Sequence, residues 1–249
     1  YKITWDKQTV QDRIGGVMVC IPSKGKLRQQ IGILPYKHGV ICVVGAGGKT
    51  SLIHALAEEF KQDHKGVIIT TTTHMIQPIT GFVSGFDEKE IGIQLQKHGI
   101  ITVGIPCENG KIKGLDMSQI RTMSNLCDKL LIEADGAHQK PMKVPAEYEP
   151  VLPDFVDLVI GIQGASAIGQ PLHKVCHRFE IGADLLHTKT SHIVTLEDLE
   201  YLLLSEKGQR KDVNVEYCPV IGQGELLDDP RKVMSCIKVV SRSGQNQKK

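Results

Sequence analysis

The chain has 249 residues, a hydrophobic content of 41% and a formal charge of only +2. That length suits one large α/β domain, or one domain with an appendage. The near-neutral charge and the 4% aromatic content, with no aromatic-basic interleaving, argue against nucleic acid; the lack of any long apolar run argues against a membrane span.

The opening stretch, Tyr1–Tyr36, begins without methionine, as a trimmed chain or an excised domain would, and shows no signal peptide. Apolar stretches at Gly16–Pro22 and Gln30–Leu34 flank Ser23-Lys24-Gly25-Lys26, so residues 1–36 read as a small β-hairpin extension. Its basic residues Lys24, Lys26 and Arg28 read as a solvated turn.

Val40–Val44 is a short, mostly β-branched run and reads as a fully buried parallel strand. Gly45-Ala46-Gly47-Gly48 follows at once, then Lys49-Thr50-Ser51 opens a helix whose Leu52, Ile53, Leu56, Ala57 and Phe60 recur at helical spacing. Strand, glycine loop, Lys-Thr and helix form a phosphate cradle. Main-chain N–H groups of Gly45, Ala46, Gly47, Gly48, Lys49, Thr50 and Ser51 can converge on phosphate oxygens, and the helix N-terminus adds partial positive charge. Lys49 would reach the outer phosphates, and the Thr50 hydroxyl would ligate Mg²⁺. The usual G-x-x-x-x-G-K-[ST] pattern would need glycine where this chain has Val43, so the match is to the shorter G-x-x-G-K-T. A dinucleotide G-x-G-x-x-G reading fails at Thr50.

Gly66–Thr71 reads as a second buried strand running into Thr72, Thr73 and His74, whose polar groups are candidates for phosphate contact. Glu88–Lys97 reads as helix, Ile100–Val103 as strand, Asn109-Gly110 as a tight turn, and Ser118–Leu126 as a helix capped by Ser118. Lys129–Ala134 is a third buried strand. Its exit carries Glu133 and Asp135, and an acid leaving an apolar strand is how such folds hold Mg²⁺ beside a phosphate loop. Asp135 ranks first for the cation, because Gly136 lets the chain turn there; Glu133 would act as a base or orient water.

The loop after Ala137 is punctuated by proline, and its Lys140 and Lys143 would meet an anionic substrate or lie solvated. Phe155–Ile162 is a fourth buried strand. His173, Cys176 and His177 do not complete a four-ligand zinc set, whereas His177 and Arg178 could reach phosphate. Thr195–Leu204 reads as a capped helix, Val213–Ile221 as a late strand in which Pro219 marks an edge or an irregular end, and Pro230–Val240 as a closing helix. Residues 241–249 read as a disordered tail. The seven cysteines are widely spaced and form no C-x-x-C pair, which predicts reduced thiols and a cytoplasmic protein. Strands alternating with helices across 37–240 predict a three-layer α/β domain with a mostly parallel, doubly wound sheet and ligands at the strands' carboxyl ends.

Taken together, G-A-G-G-K-T-S, T-T-T-T-H, E-A-D-G-A…K-P-M-K-V-P…E-P-V and the later H-R resemble the YqeC-like family of probable accessory proteins of selenium-dependent molybdenum hydroxylases. The resemblance implies a P-loop NTPase-type fold, a nucleotide site at Gly45–Ser51 with Asp135 and Glu133 near Mg²⁺, and a molybdenum hydroxylase or its cofactor as partner. No N-K-x-D guanine signature follows the late strand, where Gly222-Gln223-Gly224-Glu225 stands, so of ATP and GTP the reading takes ATP. The function expected is that of an Mg²⁺-dependent nucleoside-triphosphatase. The alternative is an ATP-dependent ligase or phosphotransferase with the short phosphate loop of Mur-type ligases, acting on a small anionic substrate.

Overall fold

The computed structural model describes residues 26–34 and 37–241. A single helical turn, α1 (Leu27–Gln30), precedes strand β1 (Val40–Gly45) and helix α2 (Lys49–Gln62). Next come β2 (Val67–Thr71), β3 (His74–Ile76), β4 (Phe82–Ser84), α3 (Glu88–His98), β5 (Ile100–Cys107), β6 (Lys111–Lys113), α4 (Met117–Leu126) and β7 (Lys129–Glu133). The second half contributes β8 (Met142–Lys143), β9 (Leu158–Gly164), α5 (Leu172–Val175), β10 (Cys176–His177), α6 (Phe179–Leu185), α7 (Leu196–Leu204), β11 (Glu216–Gly222) and β12 (Lys238–Val239).

Seven strands run parallel in the order β12-β11-β9-β1-β7-β2-β5. β4 adds to β5 in parallel, and the antiparallel β6 and β3 extend that side. Period-two alternation sets the layers. Ile41 and Val43 of β1 pack with Ile69, Leu131 and Ile160 against Leu52, Ile53, Leu56 and Phe60 of α2. Val40, Cys42 and Val44 point the other way, to Ile91 and Leu95 of α3 and Ile120 and Met123 of α4. Both faces are covered, which is why the central strands read as unbroken apolar runs. The chain is therefore the three-layer, mostly parallel α/β protein that the alternation predicts.

β1 lies between β7 and β9, with Val43 level with Glu133 and Gly45 level with Ile162. β2 flanks β7 on its far side, with Thr71 level with Glu133. Three strand exits expected to share one crevice are thus neighbours in the sheet. A smaller lobe stands beside them: β8 pairs with β10, and Met142, Val144, Leu172, Val175 and Cys176 pack under Leu199 and Leu202 of α7.

Several local readings change. The hairpin read at Gly16–Pro22 lies outside the described residues, as does the tail after Ser241. Gln30 closes a helical turn rather than opening a strand, and Ile31 and Ile33 are buried in the core beneath α2. Arg28 is buried, not solvated: it and Lys26 pair with Asp63, while Glu59 accepts hydrogen bonds from the N–H groups of Leu27 and Arg28. Asp116, not Ser118, caps α4, through a reciprocal pair with Gln119. The closing helix does not form. Pro230–Lys232 makes only a 3₁₀ turn, because Val233, Ile237 and Val239 bury against Leu203 and Ile221, and β12 adds to β11. β12 flanks β11 only at Val220 and Ile221, so Pro219 sits where the strand is open on that side. Among the described residues no helix is long and apolar enough to cross a membrane.

Candidate functional site

The loop after β1 is shaped by contacts that exclude side chains. Gly45 has φ +99°, and a Cβ there would lie 2.1 Å from the Ile162 carbonyl oxygen; Gly47 has φ +80°, and a Cβ there would lie 2.3 Å from Gly164 Cα. Both demands belong to glycine. The Ala46 N–H donates to the Ile162 carbonyl at 2.8 Å, which ties the loop to β9. Gly48 then takes the N-cap position of α2, with no side chain capping the helix. The first amides of a fourteen-residue helix are therefore left without an internal acceptor, and their partial positive charge faces the loop.

Lys49 is buried at 5% exposure. Its ammonium donates to the carbonyls of Gly45 at 2.8 Å and Asp135 at 2.6 Å, pairs with the Asp135 carboxylate, and lies 3.7 Å from Glu133 Oε1. The Thr50 hydroxyl donates to Glu133 Oε2 at 3.0 Å. Burial raises the Glu133 pKa, and the Lys49 charge and the Thr50 hydrogen bond oppose that shift. The two acids thus separate in role. Glu133 stands beside Thr50, while Asp135 grips the loop itself, accepting from the Gly45 N–H at 2.9 Å.

Asp135 has a second cation. Lys143 Nζ lies 2.7 Å from Asp135 Oδ2 and 2.8 Å from Glu149 Oε2. Arg178 reaches the same Glu149 oxygen at 2.8 Å and packs over Tyr148. Charges alternate from the loop outward: Lys49, Asp135, Lys143, Glu149, Arg178. Lys143 is held by its main chain as well. Its N–H donates to Gln163 Oε1 at 3.0 Å, and its carbonyl accepts from Gln163 and Gln209, both at 2.7 Å.

The remaining sequence candidates divide. The Thr71 hydroxyl donates to the Glu133 carbonyl and so ties β2 to the end of β7, and that of Thr72 donates to the Val151 carbonyl in the segment before β9. Thr73 is half-buried, with its N–H on Thr71 Oγ1, and His74 is exposed on β3. Ser51 is exposed at the start of α2. Lys140 donates to the Lys174 carbonyl. Lys143 is fully buried, and neither solvated nor at the surface. His177 stacks on His138, with ring centroids 4.4 Å apart. His173 Nδ1 lies 3.1 Å from the Thr190 carbonyl oxygen, and burial pushes the Cys176 thiol up to about 12. Glu149, Gln163, Gln209 and His138 escaped the sequence reading. Gln163 left a signal, a lone amide in an apolar run, and Glu149 lay in the proline-punctuated stretch; the other two left none.

Comparison with known proteins agrees on the family. No solved structure matches the chain. A curated protein of Escherichia coli (strain K12), described as uncharacterized protein YqeC, is 34% identical over 184 residues, spanning 70% of this chain and 71% of that one. The family model described as YqeC protein matches residues 41–180, a span that runs from β1 through the loop, both acids, Lys143 and Glu149 to Arg178. The whole candidate site, apart from Gln209, therefore lies within the segment by which this chain belongs to the YqeC family.

Proposed function

We propose that this protein binds a nucleoside triphosphate with Mg²⁺ at Gly45–Ser51 and hydrolyses it. The observation that carries the reading is the uncapped N-terminus of α2, entered through a glycine loop that only Gly45 and Gly47 can shape, with Lys49 held in its mouth. Amides there would surround the phosphate chain, and Lys49 would leave Asp135 to neutralise charge on the terminal phosphate. The Thr50 hydroxyl and the Glu133 carboxylate, 3.0 Å apart, are a hard-oxygen pair suited to Mg²⁺, directly and through water. When bound, that ion would supply further neutralisation of the phosphate oxygens. Glu133 would orient a water for in-line attack, and Asp135 would keep the loop closed through the Gly45 N–H. ATP is the preferred nucleotide, and maturation of a molybdenum hydroxylase, selenium-dependent in the family resemblance, is the setting in which turnover would be used.

Titration with ATP and Mg²⁺, followed by phosphate release, tests this. Lys49→Ala should weaken binding by about 10–100-fold, the worth of a charge-assisted contact. Unchanged affinity in that variant would remove the assignment.

A further inference from the structure

We propose that Lys143 is a positioning residue of the phosphate loop: it shares Asp135 with Lys49 and so governs how readily Lys49 can leave that carboxylate for an anionic ligand. The inference rests on the nucleotide reading above.

Asp135 is fully buried and faces two ammonium groups, one on each oxygen: Lys49 on Oδ1 and Lys143 on Oδ2. Only one of the two belongs to the loop. A buried ammonium is costly unless its surroundings are built for it, and here they are. Gln163 and Gln209 clamp the Lys143 main chain with three hydrogen bonds, and Glu149 steadies its charge from the far side. Lys49 is held by the Gly45 and Asp135 carbonyls as well as by the Asp135 carboxylate, but it stands in the first turn of α2, at the mouth of the loop. Asp135 must meanwhile keep accepting from the Gly45 N–H, or the loop opens.

Two consequences follow from the sharing. With Lys143 present, Asp135 loses only one of its two cations when Lys49 turns to phosphate, and the carboxylate stays in place. Without Lys143, Lys49 becomes the sole cation on Asp135, is held more tightly, and competes less well for phosphate. Lys143 therefore acts on the ligand through Asp135 and touches no phosphate itself.

Nucleotide affinity in a double-mutant cycle of Lys143→Met and Asp135→Asn is the test, because a residue that acts through another loses its effect when that other is removed. Lys143→Met should weaken ATP binding about tenfold or more in the wild-type background and less than about twofold in Asp135→Asn. Lys143→Gln with Glu149→Gln, which removes both buried charges together, should repeat the loss if the single variant does not fold. Additive effects in the cycle would reduce Lys143 to a diffuse source of positive potential and overturn the inference. Failure of both Lys143 variants to fold would also overturn it, since the lysine would then be a structural strut. Absence of ATP binding by the wild-type protein would instead sink the nucleotide reading on which this one depends.

Discussion

His177 and Lys143 stand level in the β8–β10 pair, yet their environments differ sharply. Lys143 has carboxylates on both sides. His177 has burial against it first, then the charge of Arg178, then His138, and these lower its pKa from 6.5 to about 4. An unfolded chain would take up this proton below about 6.5, while the folded chain would resist until about 4. Stability should therefore be full above that window and fall as pH drops through it. Urea midpoints for wild type and His177→Gln across the window check the sign: the variant should lose part of the slope, and parallel profiles would refute it. Histidine in sequence announces only that a proton is available. The burial that chiefly lowers its pKa is set by the fold, and only Arg178 beside it was there to be read in the sequence.

At the scale of elements, the loop between β1 and α2 was the most legible feature, because its requirement is local. Glycines are needed where the backbone turns against β9, and the residues that meet that need are consecutive. Gly47→Ala should abolish nucleotide binding and lower the melting temperature, since the new methyl would meet Gly164 Cα and the Pro141 carbonyl, on a φ that disfavours alanine. Calorimetric titration beside a thermal melt checks both halves, and a variant that binds normally would show that the loop has room to spare. The support around Lys143 was illegible for the converse reason. Gln163 is 20 residues away and Gln209 is 66, and no local spacing rule connects them. The closing helix was misread likewise: Val233, Ile237 and Val239 answer to Leu203 and Ile221, not to their own periodicity.

The whole molecule divides less sharply than its sequence suggests. The hairpin reading places a boundary at residue 36, but Ile31 and Ile33 are 3% exposed in the same core as Phe60 and Leu131. Ile33→Ala should cost about 2–5 kcal/mol in denaturant unfolding, as a core truncation does, and a cost near zero would make the segment a mere appendage. The layer architecture, by contrast, was plain in the alternation of apolar runs with helical periods, since both faces of the sheet had to be covered. One consequence of the alternating side chains behind the loop reaches beyond stability. Lys49, Lys143 and Arg178 are matched one for one by Glu133, Asp135 and Glu149, so these side chains together offer an approaching polyanion no net formal charge. Capture must then begin at short range, with amide dipoles and the exchange of one partner for another, and dissolved ions have little there to screen.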